Sequence, residues 1–248
     1  TPRYISLAPS TTEILFALGL DKEIVGVSSS CDYPKQAAQK EKIGTFSNPN
    51  LEKIVSLKPD IIFTTGLEQT PSVGRLKELG LRVIVSDPKD IDGVLDSIME
   101  IGKATAHDTQ ARLLAESIAK DIHAFREKIK KIPHRLRPQV FLEIWHDPLM
   151  TAGPGSFIDA MLSLAGAHNI AFDAPRAYSR FCAETVIARN PDFIILAYMA
   201  GENPKERISA RLGWKNIAAV KRGRISAAID PDLLLRPGPR IIKGLEEL

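Results

Sequence analysis

Asn50-Leu51-Glu52-Lys53-Ile54-Val55-Ser56-Leu57-Lys58-Pro59-Asp60-Ile61-Ile62-Phe63 reads as a helix, a stop and a strand. The chain writes the same phrase again as Ala183-Glu184-Thr185-Val186-Ile187-Ala188-Arg189-Asn190-Pro191-Asp192-Phe193-Ile194-Ile195-Leu196. Glu52 matches Glu184, Pro59 matches Pro191 and Asp60 matches Asp192, at a constant offset of 132 residues. In each copy the proline cannot continue the helix, and the apolar run behind it suits a buried strand. The offset exceeds the roughly 20–50 residues of a solenoid period. It predicts two related lobes in one chain, and a cleft between lobes is where a small ligand binds.

Outward from the first copy, strands and helices alternate. Tyr4 to Leu7 and Ile24 to Val27 read as strands, followed by Ile61 to Thr64 and Val83 to Val85. Ser10-Thr11-Thr12-Glu13 has capping-box spacing for a helix carrying Ile14, Leu15 and Leu18 and ending at Gly19. Asn50 is placed to cap the helix of the repeat. Gly80 ends a helix that includes Leu76. Such alternation predicts parallel sheets covered on both faces, an α/β architecture of two doubly wound lobes.

Between the copies the pattern changes. Asp108 to Lys131 contains no Gly or Pro, and its apolar residues fall at three- and four-residue spacing from Ala111 to Ile129. This predicts one helix about 36 Å long. The division expected is an N-terminal lobe over 1–107, a connector helix over 108–132 and a C-terminal lobe over 133–248. A stiff connector permits only small hinge motions. Beyond it, Val140 to Trp145 reads as a strand and His146 to Gly155 as a loop. Phe157 to Ala165 is a helix ending at Gly166. Trp214 to Val220 and Ile225 to Ile229 precede a loop from Asp230 to Pro239 and a last helix from Ile241.

Composition sets bounds. Of 248 residues, 44% are hydrophobic and 25% charged, as in a soluble globular protein. The net charge of +3 is dispersed and does not point to nucleic acid. The densest basic stretch, Lys120 to Arg137, has seven Lys or Arg against two acids and no interleaved aromatics. It reads as a solvated helix face and its exit. No apolar run approaches the roughly 20 residues of a membrane span. The chain starts at Thr1 without Met and shows no leader, as a processed protein would, which leaves the compartment open. Cys31 and Cys182 lie in opposite halves and read as two buried thiols, too few for a disulfide scaffold.

Several chemistries are absent from the sequence. Gly102-Lys103-Ala104-Thr105 resembles the end of a phosphate loop, but the glycine required five positions earlier is Ser97. No Gly-x-Gly-x-x-Gly follows the first strand, and there is no Gly-x-Ser-x-Gly elbow. The five histidines are scattered. Glu143 and His146 lie three apart on a predicted strand, where they would face opposite ways. No catalytic residue and no metal site is assigned, and the protein is not expected to be an enzyme. What remains is a set of aromatic and polar groups just past strand ends: Tyr33, Phe46, Trp145, His146, and Tyr178 to Phe181. In open parallel sheets ligands sit beyond the carboxyl ends of strands. Flat aromatics there suit a large, partly apolar ligand with polar edges. Core packing is the competing reading for Phe46 and Trp145, and a surface or core position for His146.

Three stretches resemble the N-terminal lobe of ABC-transporter substrate-binding proteins. They are Ser6-Leu7-Ala8-Pro9-Ser10-Thr11-Thr12-Glu13-Ile14-Leu15, Val25-Gly26-Val27 with Asp32-Tyr33-Pro34, and Ile43-Gly44 with Asn50-Leu51-Glu52. The branch is the one with a rigid interlobe helix, whose ligands are cobalamin, haem and ferric siderophores. Trp145 to Gly153 and Asp232 to Arg240 look most like its cobalamin-binding members. The resemblance implies a monomer outside the cytoplasm, periplasmic or extracellular, with or without a lipid anchor, handing a corrinoid to an ABC importer permease dimer. No cofactor is implied; the corrinoid, or alternatively haem or a ferric siderophore, is the ligand. Tyr33, Phe46, Trp145, His146, Phe181 and Asp232 form the implied ligand-binding set, and Glu68 and Glu206 are the implied permease anchors. The cobalamin binders of proteobacteria carry Trp where this chain has Phe46, and further aromatics where it has Thr64-Thr65-Gly66-Leu67. Haem binders offer a Tyr or His, a role open here to Tyr33, Tyr178 or His146. A tetrapyrrole- or metal-chelating enzyme of similar architecture is the distant alternative.

Overall fold

The computed structural model describes residues 1–66, 70–198, 201 and 203–248. The chain divides into two compact units, Thr1–Pro88 with Asp92–Ile118, and Lys89–Ile91 with Ala119–Leu248. The division falls inside the long helix.

The first unit runs β1 (Tyr4–Ser6), α1 (Pro9–Ala17), β2 (Ile24–Val27), α2 (Lys35–Ala38), α3 (Leu51–Ser56), β3 (Ile61–Thr64), α4 (Thr70–Glu78), β4 (Val83–Val85), α5 (Ile91–Ala104) and the start of α6 (Asp108–Lys130). Its strands order β2-β1-β3-β4, all parallel. Helices follow the strands and cover the sheet, so strand residues facing either way are apolar. Ile5, Leu7, Ile43, Ile54, Ile62 and Leu76 form the core. Each such side chain contributes roughly 1.5–3 kcal/mol on burial.

The repeated phrase has a structural meaning. Lys58 and Asn190 both sit in the left-handed region, at φ 47° and 45°, and turn the chain out of its helix ahead of the proline. Asp60 and Asp192 then clamp the start of the neighbouring strand. The Asp60 carboxylate accepts the Arg3 N–H at 2.7 Å, and the Asp60 N–H donates to the Arg3 carbonyl at 2.8 Å. Asp192 does the same with Gln139, at 3.0 and 2.8 Å. Strand register follows in kind: Tyr4 pairs with Ile61, and Val140 with Phe193.

The second unit runs β5 (Gln139–His146), β6 (Leu149–Ala152), α7 (Phe157–Leu164), β7 (His168–Asn169), β8 (Tyr178–Arg180), α8 (Ala183–Arg189), β9 (Phe193–Leu196), α9 (Pro204–Ser209), α10 (Ala218–Lys221), β10 (Ile225–Ser226), α11 (Pro231–Leu235) and α12 (Ile241–Glu247). The parallel set β7-β5-β9-β10 reproduces the layout of β2-β1-β3-β4. To it are added β6, antiparallel to β5, and β8, antiparallel to β6, so this sheet is mixed where the sequence predicts a parallel one. The cause is the length of β5. Its first residues pair with β7, and its last would be an open edge had the chain not turned back at Asp147-Pro148 to cover it. The expected loop from His146 to Gly155 is therefore in large part the strand β6. Phe141, Ile170, Val186, Ile194, Leu196 and Trp214 centre this core.

Two other local expectations are corrected. The Ser10–Glu13 capping box does not form. Pro9 already occupies the first helical turn and Ala8 is the cap, without a side-chain bond. Ser6, Thr11 and Thr12 instead direct their hydroxyls to the Ala8 carbonyl, and Glu13 is buried. The expected loop after Asp230 holds the short α11, whose first N–H groups are met by the Asp230 side chain accepting from the Asp232 N–H at 3.0 Å. Asn50 caps α3 as expected, accepting from the Lys53 N–H at 2.9 Å. Helix α6 buries Ala111, Ala115, Ile118 and Ile122, one stripe at helical spacing. A Cβ on Gly102 would lie 2.2 Å from that of Ala111, so α5 meets α6 at a contact only glycine allows.

Candidate functional site

In the first unit, aromatic groups collect past the end of β2. Tyr33 follows it, 46% exposed and joined to Pro34 by a cis peptide. The Ser29 N–H donates to the Gly44 carbonyl at 2.9 Å, which holds the Thr45–Phe46 segment just beyond the same strand end. Gly44 makes that possible: at φ 105° its backbone turns so tightly that a Cβ would meet the Asn48 carbonyl at 2.7 Å. Phe46 is half-buried there. Past β3 and β4, Thr65 donates to the Asp87 carboxylate at 3.3 Å. Glu68 lies outside the described residues.

In the second unit the corresponding end carries a larger group. Between Glu143 and Trp145 the pairing of β5 with β6 slips by one residue. A bulge breaks the strict alternation of a strand and re-aims side chains. Trp145 and His146, consecutive residues, are consequently both exposed, Trp145 by 49%. Glu143, by contrast, is completely buried. The Trp145 ring lies 5.0 Å from His146 and 5.9 Å from Tyr198, and His146 stacks on Tyr198 at 5.7 Å and 24°. Trp145 Nε1 donates to the Asp147 carbonyl at 2.9 Å, which fixes its indole in the hairpin turn.

Beneath this aromatic platform lies an ion pair. Arg211 donates Nη1 to Glu143 Oε2 at 2.6 Å and Nη2 to Oε1 at 2.8 Å, a two-pronged contact. The Tyr198 hydroxyl donates to Glu143 Oε1 at 2.5 Å. Burial and then the adjacent carboxylate push the Tyr198 phenol up to about 12. Burial works against the Arg211 charge, but its bonds to Glu143 outweigh this and hold the guanidinium above its ordinary value. The Arg211 guanidinium also stacks over Trp214, 4.6 Å from the ring centre. A cavity of about 320 Å³ opens beside the platform, walled in part by His146, Ile187, Arg211 and Leu212.

The other sequence-derived residues are placed differently. Phe181 stacks on buried Phe141 at 5.8 Å, with Arg189 over its ring at the same distance, and so borders the core of the second unit. Asp232 is in the first turn of α11, in an ion pair with Arg236 at 2.7 Å. Glu206 is exposed in the first turn of α9. Cys31 is buried as expected, but Cys182, expected to be buried too, is exposed at the start of α8, where its thiol donates to the Glu184 carboxylate at 2.6 Å; neither is bridged. Among the described residues no group of His, Cys, Asp or Glu is arranged to hold a metal ion, and no helix is long and apolar enough to cross a membrane. Sequence reasoning missed Tyr198, although it sits two positions past the repeat strand and the strand-end rule applies to it. Arg211 is 68 residues from its partner, and nothing local marks it.

A chain of two such units, each an α/β sheet with a parallel core and aromatic groups at its strand ends, has the architecture of a solute-binding protein. Residues 5–232 match the periplasmic binding protein family, and the chain belongs to it. It is 37% identical over 251 residues to an uncharacterized ABC transporter substrate-binding lipoprotein, YvrC, of Bacillus subtilis (strain 168), covering 99% of this chain and 78% of that one. It is 31% identical to the vitamin B12-binding protein of Salmonella paratyphi A, covering 100% and 88%. Among solved structures it resembles the periplasmic haem-binding protein RhuT of Roseiflexus sp. RS-1 in its apo form, with a TM-score of 0.88 and 27% identity, over 100% and 96% of the two chains.

Proposed function

We propose that this protein is the substrate-binding component of an ABC importer and that it captures a cobalamin-like corrinoid between its two lobes. The observation that carries this is the exposed pair Trp145 and His146, backed by buried Tyr198 and by Glu143 and Arg211 beneath it. A corrinoid has a broad apolar face and an amide-bearing rim. Stacking serves the face, and His146 and nearby polar groups serve the rim. Tyr33 and Phe46 are the aromatics the first lobe would contribute to the same ligand. The vitamin B12-binding relative supports the corrinoid reading. The protein acts by binding and release, without chemistry on its cargo. It works outside the cytoplasm, and the lipoprotein relative supports a lipid anchor.

A second reading is haem. It is favoured by two exposed side chains able to ligate iron, Tyr33 and His146, and by the likeness to a haem-binding structure. Visible spectra after gel filtration separate the two. Protein incubated with cyanocobalamin is expected to elute with the corrinoid bands. Elution only with a Soret band, after haemin, would replace the first reading by the second, and elution with neither would remove both.

Docking to the permease is assigned to Glu206 on the second lobe, with Glu68 as its counterpart on the first. Rim charges mainly set orientation and encounter rate. Glu206→Arg is therefore expected to leave ligand affinity unchanged while transport by the reconstituted importer falls. Undiminished transport would refute that assignment.

A further inference from the structure

The second unit has another cavity, about 470 Å³, at the opposite end of its sheet, beside the first residues of β5 and β7. We propose that it binds a phosphate group. The proposal is independent of the corrinoid reading, because the platform stands at the far end of β5.

The wall is cationic. It contains Arg135, Arg137, His134 and His168, against one acid, Asp159. The Asp159 carboxylate is already engaged, accepting from Asn169 Nδ2 at 2.7 Å. The two imidazoles lie 4.0 Å apart, and His168 Nε2 donates to the His134 carbonyl at 3.0 Å, so one ring orients the other's backbone. Arg137 donates Nη2 to the Ile129 carbonyl at 3.2 Å, which ties it to the end of α6. Its Nε is buried and has no hydrogen-bond partner. A buried N–H left without an acceptor is costly, and proteins rarely leave one so. That nitrogen is closed to a water-sized probe, so an oxyanion would reach it only after a small shift of the side chain, and Arg135 with the rest of the Arg137 side chain makes the wall. Among the described residues neither arginine is paired with a carboxylate. Guanidinium forks match the oxygens of a phosphate better than they match a halide.

The surroundings reinforce the sign. The cavity lies at the end of the Lys120–Arg137 stretch, with its seven cations and two acids, which raises the local concentration of anions. Ile132, Leu136 and Phe172 are exposed nearby by 41%, 66% and 66%. The phosphate is accordingly either free in solution or the headgroup of an anionic lipid, and the same side chains would hold both.

The test has two arms, each on the full chain. Calorimetric titration with inorganic phosphate, at constant ionic strength with chloride as control, reads the free anion. Sedimentation with phosphatidylcholine vesicles, with and without phosphatidylglycerol, reads the headgroup. One equivalent of phosphate is expected to bind, and Arg135→Gln and Arg137→Gln should each weaken it about tenfold or more. Binding to the phosphatidylglycerol vesicles alone, with the same arginine dependence, supports the site and identifies the lipid as its source. Should Arg137→Gln unfold, exposed Arg135→Gln decides. Absence of binding in both arms, or binding that neither substitution weakens, overturns the proposal.

Discussion

Glu143 is a carboxylate without access to solvent, and its charge is tolerated because Arg211 meets it with two hydrogen bonds and Tyr198 with a third. A buried pair of this kind is weak evidence for stability as a pair, but breaking it is expensive because one charge is left alone. The two ways of breaking it are unequal. Arg211→Ala strands a carboxylate that cannot reach water and should cost about 3–5 kcal/mol. Glu143→Ala strands a guanidinium whose side chain is 24% exposed and can turn to solvent, so it should cost less. Denaturant unfolding of the two variants checks the order, and a larger loss from Glu143→Ala would contradict this account of the pair. The same residues show what a sequence hides. Trp145 and His146 were visible as strand-end aromatics. That both would be exposed was not, since it depends on a one-residue slip between β5 and β6 that no residue type announces. Arg211 was invisible because its role comes only from folding.

At the scale of elements, the helix–stop–strand phrase was legible because its signals are local: helical spacing, proline, then an apolar run. Its left-handed residue gives a second prediction. Lys58 holds φ 47° at the cost a side chain carries there, and glycine would relieve it. Lys58→Gly should stabilise the first unit by about 0.5–1 kcal/mol, the roughly 1–2 kcal/mol cost of a left-handed side chain less the roughly 0.5–1 kcal/mol of extra chain entropy that glycine loses on folding. Asn190 holds φ 45°, but its Oδ1 also accepts the Ala218 N–H at 2.7 Å. Asn190→Gly should therefore bring no gain. Chemical unfolding of both variants measures this, and equal gains would mean that the Asn190 bond contributes nothing. The β5–β6 hairpin was among the elements the sequence did not reveal. Asp147-Pro148 carries the signature of a loop, and only the unpaired edge of the longer β5 explains why a strand follows it.

At the scale of the whole molecule, the duplicated phrase foretold two related units, and the parallel cores bear this out strand for strand. Composition and periodicity could not tell which ligand a binding protein carries, because they do not register the few side chains that would select it. The central claim of the proposal is that exposed rings, Tyr33 and Trp145 among them, hold one large flat ligand. Each contact surface of that size is worth roughly 1.5–3 kcal/mol, or about ten- to a hundredfold in affinity. Tyr33 and Trp145 are each about half exposed, so removing either should spare the fold. The most direct measurement is a spectroscopic titration of the wild type, Tyr33→Ala and Trp145→Ala with cyanocobalamin. The account predicts one equivalent bound by the wild type and weakening of about ten- to a hundredfold in each variant, with melting temperatures nearly unchanged. Titrations in which both variants match the wild type, or in which the wild type binds no corrinoid, would contradict it.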